Sequence, residues 1–370
     1  VNRIALIVAV VAAVAVIIRT AAIRRRHHRD VGRFSDAQIA EAGARLGLVP
    51  VDQVDGERAT APDPTAEHVK STLAAGTWES AAQYLEDAGT DWQERDRRSV
   101  LLAEEAVKDD TWLTAWRAAR RQDPGAALVH ARSLVYLAWE IRGSGQARST
   151  TREQFDGFHR VLAQAKEAFG AAQDAAGDDP CPFVAELPLA MGLGYPHEAF
   201  AAIWAEIEKR DPYHLAAHRA ALQYWCAKWR GSHEEAEAFG RAAAAKGSPG
   251  QLLSTIVLDA YFEYEIAHDD LNPGEYYRRP EIVAATDAAL ADVAAAHTMN
   301  PHHPGIPPAR HLIGSFLYWQ NRYAEALSQF RLADGYAGTT PWSYYGNPAK
   351  RYVKVRDYCA AQAERSGTGS

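Results

Sequence analysis

An all-α fold follows from three features of this 370-residue sequence. Ala is abundant and β-branched runs are scarce outside the first 20 positions, which favours helix. Apolar residues recur at three-and-four spacing through the body of the chain. Short breaks marked by Gly, Asn or Pro separate the periodic stretches.

Pro308 to Ala333 shows the pattern best. Leu312, Ile313, Phe316 and Leu317 form one apolar stripe. After Gln320-Asn321-Arg322 the stripe restarts with Tyr323, Ala326, Leu327, Phe330 and Ala333. This spacing predicts two antiparallel helices turning at Asn321, with small residues, Gly314 and Ala326, where they touch. Neither helix can bury its stripe alone, so the pair must stack on neighbours.

These residues resemble a tetratricopeptide repeat. Gly314, Leu317, Tyr323, Ala326, Phe330 and Ala333 match that repeat's Gly, large apolar, Tyr, Ala, Phe and Ala. Arg310 departs from it, standing where the repeat opens with Trp, and the Pro expected after the second helix comes late, at Pro341. The turn recurs as Gly76 to Ala81, Gly194 to Ala199 and Gly231 to Ala236. Gly and Asn tolerate the left-handed conformation that ends a helix, and Ser232 with Glu235 reads as a capping box. The second and third Gly signals lie 37 residues apart, near the family period of about 34. The others keep no fixed period. The resemblance therefore implies a degenerate α-hairpin solenoid, with an ordinary helical bundle as the alternative.

Charge is unevenly spread. The chain carries −7 overall, but residues 1–30 sum to +5, leaving −12 on the remainder. An acidic body lacking a basic stripe excludes a phosphate-backbone binder, so no nucleic-acid partner is expected. Cys181, Cys226 and Cys359 are odd in number and far apart, which is neither a disulfide framework nor a metal spacing. Buried thiols in a reducing compartment are expected instead.

Ile4 to Ile18 is an unbroken apolar run, extended past Arg19 and Thr20 by Ala21 to Ile23. It predicts a single membrane-spanning helix if Arg19 snorkels. A cleavable signal peptide is the alternative. The basic cluster of Arg24, Arg25, Arg26 and Arg29 reads as a topology signal and a contact with anionic headgroups, placing the body in the cytoplasm beneath the cell membrane.

The expected organisation is an anchor and basic segment over 1–30, a short helix and linker over 31–65, a helical body over 66–363 and a disordered tail over 364–370. Ser35 and Gln38 form a capping box that starts the short helix. Pro50, Gly56, Pro62 and Pro64 mark the linker as flexible. Within the body, Trp112, Leu113 and Trp116 face the core, and Asp-Pro or Asn-Pro steps at 123, 179, 211, 272 and 300 punctuate the helices. Tetratricopeptide arrays commonly close the second helix with Pro, so this agrees with the resemblance. Trp225 to Phe239, WCAKWRGSHEEAEAF, also resembles a helical family of unknown function from high-GC Gram-positive bacteria. That likeness spans about residues 66 to 360 and implies no activity.

Candidate chemistry is sparse. His214 and His218 share a helix face, and His297, His302, His303 and His311 surround a Pro-rich loop. Capping and packing account for both sets, so no metal and no cofactor are expected. Glu263, Glu265, Asp269 and Asp270 read as a solvated helix end. There is no phosphate loop, dinucleotide fingerprint or nucleophile elbow, and Ser144 lies in a break. An enzyme is therefore not expected. The tetratricopeptide resemblance implies that His311, Ser315 and Tyr318 face a groove that holds a protein or peptide. A membrane-anchored binding scaffold is the leading expectation. A helical metal-assisted hydrolase and a secreted helical binding domain are the alternatives.

Overall fold

A computed structural model describes residues 34–143 and 151–367. Seventeen α-helices and one short 3-10 helix make up this part, with no strand among the described residues. The predicted anchor, Arg24, Arg25, Arg26 and Arg29 lie outside it. Among the described residues, no helix is long and apolar enough to cross a membrane.

The chain divides into two compact units. Residues 62–232 form a central unit, and 34–61 with 233–367 form a flanking unit. The flanking unit begins with α1, Asp36–Arg45. Its predicted capping box is present: Ser35 Oγ accepts from Gln38 N and Gln38 Oε1 accepts from Ser35 N.

The central unit opens with α2 (Pro64–Ala74) and α3 (Glu79–Glu86), the hairpin expected around Gly76, whose φ is +83°. Helices α4 (Trp92–Lys108), α5 (Thr111–Ala119) and α6 (Pro124–Arg142) follow. Next come α7 (Arg152–Asp174), α8 (Cys181–Leu193), α9 (His197–Arg210) and α10 (Leu215–Trp225). Helix α6 is apolar around most of its circumference, so it is buried on several faces. Ala126 and Val129 pack with Leu85, Trp112 and Trp116, while Leu128 and Trp139 pack with Phe158, Leu162 and Leu189. Gly194, at φ +63°, ends α8 and turns the chain into α9 as expected.

The flanking unit continues with α11 (His233–Lys246), α12 (Thr255–Ala267), α13 (Pro273–Tyr276) and α14 (Pro280–Met299). Helices α15 (Ile306–Trp319) and α16 (Tyr323–Arg331) then form the hairpin read from the sequence. Asn321 turns it at φ +62°, and a Cβ at Gly314 would overlap the Phe330 ring. The close approach expected at Gly314 is therefore real. A 3-10 turn (Trp342–Tyr344) leads into α17 (Pro348–Gly367).

Three expectations change. The partner of α11 within its unit is α12, not the helix before Gly231. Gly231 is required because a Cβ there would strike the Trp225 carbonyl. The X-Pro steps do not all close helices. Asp123 and Asn272 are N-caps whose carboxylate or amide oxygen accepts backbone N–H groups at 2.8–3.0 Å, and the Pro that follows is the first helical residue. Pro suits that position because its missing N–H would have no helical partner there.

The stretch read as a flexible linker is strapped down. Asp55 N donates to Gly335 O at 2.9 Å, and Ala337 N donates to Asp55 O at 2.7 Å. Asp55 and Tyr336 form a parallel bridge. Val49 N donates to Asp334 Oδ2 at 3.0 Å. Pro and Gly signal a lack of regular structure, and here the irregular backbone finds its partners in another loop.

Candidate functional site

The flanking unit holds an aromatic pocket between α12, α15 and α17. Phe262, Tyr277, Tyr318, Trp319, Trp342 and Tyr345 supply its walls, with Glu265, Ser315 and Arg351 at the polar positions. Its enclosed space is only about 20 Å³, room for roughly one water, and one side is open to solvent. The walls are fixed by ring contacts. Tyr277 sits edge-on to Phe316 at 4.6 Å and parallel to Trp319 at 6.4 Å, and Phe262 meets Tyr344 at 5.0 Å. Tyr344 donates in turn to Glu263 Oε1 at 2.9 Å. Such offset and edge-on pairs hold rings in place beyond simple area burial.

Arg351 is the unusual member. Its guanidinium lies 4.9 Å from the Tyr345 ring centroid, yet among the described residues it has no ion pair and no side-chain hydrogen bond, and its Nε is enclosed without an acceptor. Burial alone, with no carboxylate opposing it, pushes the group down to about 9. Burying a charge without a partner is costly. The nearby arginines avoid that cost: Arg356 ion-pairs Asp334 and Asp357, and Arg310 donates to Gln329 Oε1 at 2.7 Å.

The three predicted groove residues separate. Ser315 and Tyr318 line the pocket. His311 does not, and this corrects the expectation that it faces a ligand. Its side chain is fully buried, with Nδ1 accepting from Trp342 Nε1 at 3.0 Å and the ring edge-on to Tyr352 at 4.9 Å. Burial holds its pKa down to about 4. The side chain is a neutral core histidine. It lies one turn before Ser315 on the same side of the helix, at a level that Trp342 and Tyr352 cover.

A second constellation lies in the central unit. Asp96, Cys181 and His214 present ligand atoms within 4.8 Å of one another, all buried. They come from α4, the first turn of α8 and the N-cap of α10. Their hydrogen bonds argue against a metal. His214 Nδ1 accepts from Ala217 N at 3.3 Å, which leaves the proton on Nε2, 3.4 Å from the Trp92 carbonyl. A ligating imidazole keeps one lone pair free for the ion, and here the Nδ1 lone pair is already taken by Ala217 N. Asp96 already faces a cation, the buried Arg132. Burial and the adjacent Asp179 and Asp96 carboxylates push the Cys181 thiol well up, away from the thiolate that a nucleophilic role requires. The cluster ties four helices together. His218 is likewise structural, with Nδ1 2.9 Å from the His214 carbonyl and the ring edge-on to Trp204.

No family model, curated protein or solved structure matches the chain.

Sequence reasoning missed Arg351 and the Asp96–Cys181–His214 group. Arg351 stands in Pro-Ala-Lys-Arg-Tyr, an ordinary start to a surface helix. What sets it apart is a missing partner, which no local spacing records. The available hint was aromatic density: Trp342, Tyr344 and Tyr345 precede it within ten residues.

Proposed function

We propose that the chain is a protein- or peptide-binding scaffold built from α-hairpins of the tetratricopeptide kind, tethered to the cell membrane by residues 4–23 with its body in the cytoplasm. The tether and its side rest on the apolar run and the basic cluster that follows it. The binding role rests on one observation above all: Ser315 and Tyr318 line a small aromatic pocket beside Arg351, whose Nε has no acceptor among the described residues. The paired helices α2–α3, α8–α9 and α15–α16, each turned at a left-handed Gly or Asn, support the hairpin reading.

Panning a random peptide library against the full chain in nanodiscs tests the binding role. The expected result is a consensus sequence whose binding falls at least about tenfold in Tyr318→Ala and in Ser315→Trp, which fills the pocket; tenfold corresponds to about 1.4 kcal/mol. Peptides without a consensus, or equal binding to correctly folded variants, would overturn it. Carbonate-resistant retention of the full chain in the membrane fraction tests the tether.

A further inference from the structure

We infer that His233 and His268 form a site for one divalent transition-metal ion of the zinc, nickel and copper class, bridging the start of α11 and the end of α12. Neither residue lines the aromatic pocket, so the inference stands or falls independently of the binding role.

His233 is the first residue of α11, and His268 caps the end of α12. The two helices pack together, which brings the imidazole rings to a centre-to-centre distance of 4.8 Å with their planes inclined at 51°. Two imidazoles that share one ion, each bound at about 2.0–2.1 Å, must come comparably close. The rings are held there by aromatic neighbours. Tyr264 stacks on His268 at 4.1 Å and meets His233 edge-on at 5.0 Å, and Tyr276 stacks on Tyr264 at 5.5 Å.

Proton placement suits a ligand pair. His268 Nδ1 lies 2.8 Å from the Tyr264 carbonyl. A carbonyl only accepts, so Nδ1 carries the proton and the ring lone pair sits on Nε2. Donation from one ring nitrogen to a backbone carbonyl is how a ligating histidine is oriented and its tautomer fixed. His214 in the central unit shows the opposite arrangement, its Nδ1 accepting from Ala217 N. Burial and the neighbouring His268 hold the His233 pKa below its ordinary value, so this ring is neutral at neutral pH, the state that binds a metal. The carboxylates of Glu234 and Glu263 act on the same ring and favour a positive charge beside it.

The donor atoms select the ion. Magnesium and calcium take oxygen ligands, whereas imidazole nitrogen suits zinc, nickel and copper. Two imidazoles leave the remaining positions of the ion to water, so the site is open rather than a closed structural cage.

Calorimetric titration of the full chain in nanodiscs, made without a histidine tag and stripped by a chelator, with Zn2+, Ni2+ and Mg2+ tests the inference. One Zn2+ or Ni2+ should bind per chain and raise the thermal unfolding temperature, and Mg2+ should do neither. His233→Ala and His268→Ala should each weaken Zn2+ binding at least about tenfold. His297→Ala, at an exposed histidine elsewhere in the unit, should leave it unchanged. Circular dichroism establishes that each variant is folded; if an Ala variant is not, His233→Gln or His268→Gln replaces it. In the unaltered chain, nitrogen coupling in the Cu2+ paramagnetic resonance spectrum should count two imidazoles. Absence of ion binding, binding shared by Mg2+, or a loss confined to one of the two histidines would overturn the proposal. Binding that Cys181→Ser removes and neither histidine affects would assign the ion to the central cluster and overturn it as well.

Discussion

Arg356 Nη2 donates to the Val49 carbonyl at 2.9 Å, joining residues 307 positions apart. The same guanidinium ion-pairs Asp334 and Asp357, and its side chain is 1% exposed. One buried cation therefore holds the strap before α2, the loop after α16 and the final helix.

Removing that cation leaves two buried carboxylates facing each other. Arg356→Met is expected to destabilise the flanking unit by about 3–5 kcal/mol, the range for breaking a buried ion pair from one side. Urea unfolding followed through the aromatic signal checks it. A loss below about 1 kcal/mol would show that the strap contributes little.

Gly314 tests the hairpin. Ala has the better helix propensity by about 1 kcal/mol. Its methyl, however, would collide with the Phe330 ring, which is itself fully buried and cannot swing aside. Overpacking of this kind costs about 1–3 kcal/mol, so Gly314→Ala is expected to be neutral to destabilising, and Gly314→Val clearly destabilising, in thermal unfolding.

The pair Asp96–Arg132 gives a third prediction. Both side chains are under 8% exposed. Asp96→Asn leaves the guanidinium without its countercharge and should cost about 3–5 kcal/mol. Asp96→Leu combined with Arg132→Met should recover most of that loss, because the cost lies in the stranded charge. Equilibrium unfolding of the two singles and the double measures the coupling.

Glu104 makes the central unit sensitive to pH. Burial raises its pKa to about 8, opposed by Lys108 and reinforced by Glu105, and its Oε1 is enclosed without a partner. The folded state therefore holds this proton more tightly than the unfolded one, whose carboxyl titrates near 4.3. Between those two values the native state binds the extra proton, so stability falls as pH rises from about 4.5 to about 8. The contribution to the slope is at most about 1.4 kcal/mol per pH unit. Glu104→Gln should flatten it, as read from urea midpoints across that window.

Local chemistry made much of the architecture legible. The capping box at Ser35, the turns at Gly76, Gly194 and Asn321, and the small residue at Gly314 each follow from a backbone or steric need that a single residue reveals. Division into two units, the strap through Asp55 and the pairing of α11 with α12 depend on contacts between distant segments, which no periodicity encodes. The site divides the same way. Repeat spacing put Ser315 and Tyr318 forward, and both line the pocket. It also pointed to His311, because helical spacing gives a face but not what covers it, and here Trp342 and Tyr352 do. The surroundings of Arg351 emerge only once Tyr345, Trp342 and Phe262 are in place.

The interleaved order of the units has a consequence for synthesis. Residues 62–232 are contiguous, so the central unit can close its core while the ribosome is still adding the remainder. The flanking unit cannot, because α1 packs against α17 and the strap needs Asp334 and Arg356. Its opening helix gains that partner only once residues 348–367 have been made, so α1 cannot take its final place before then.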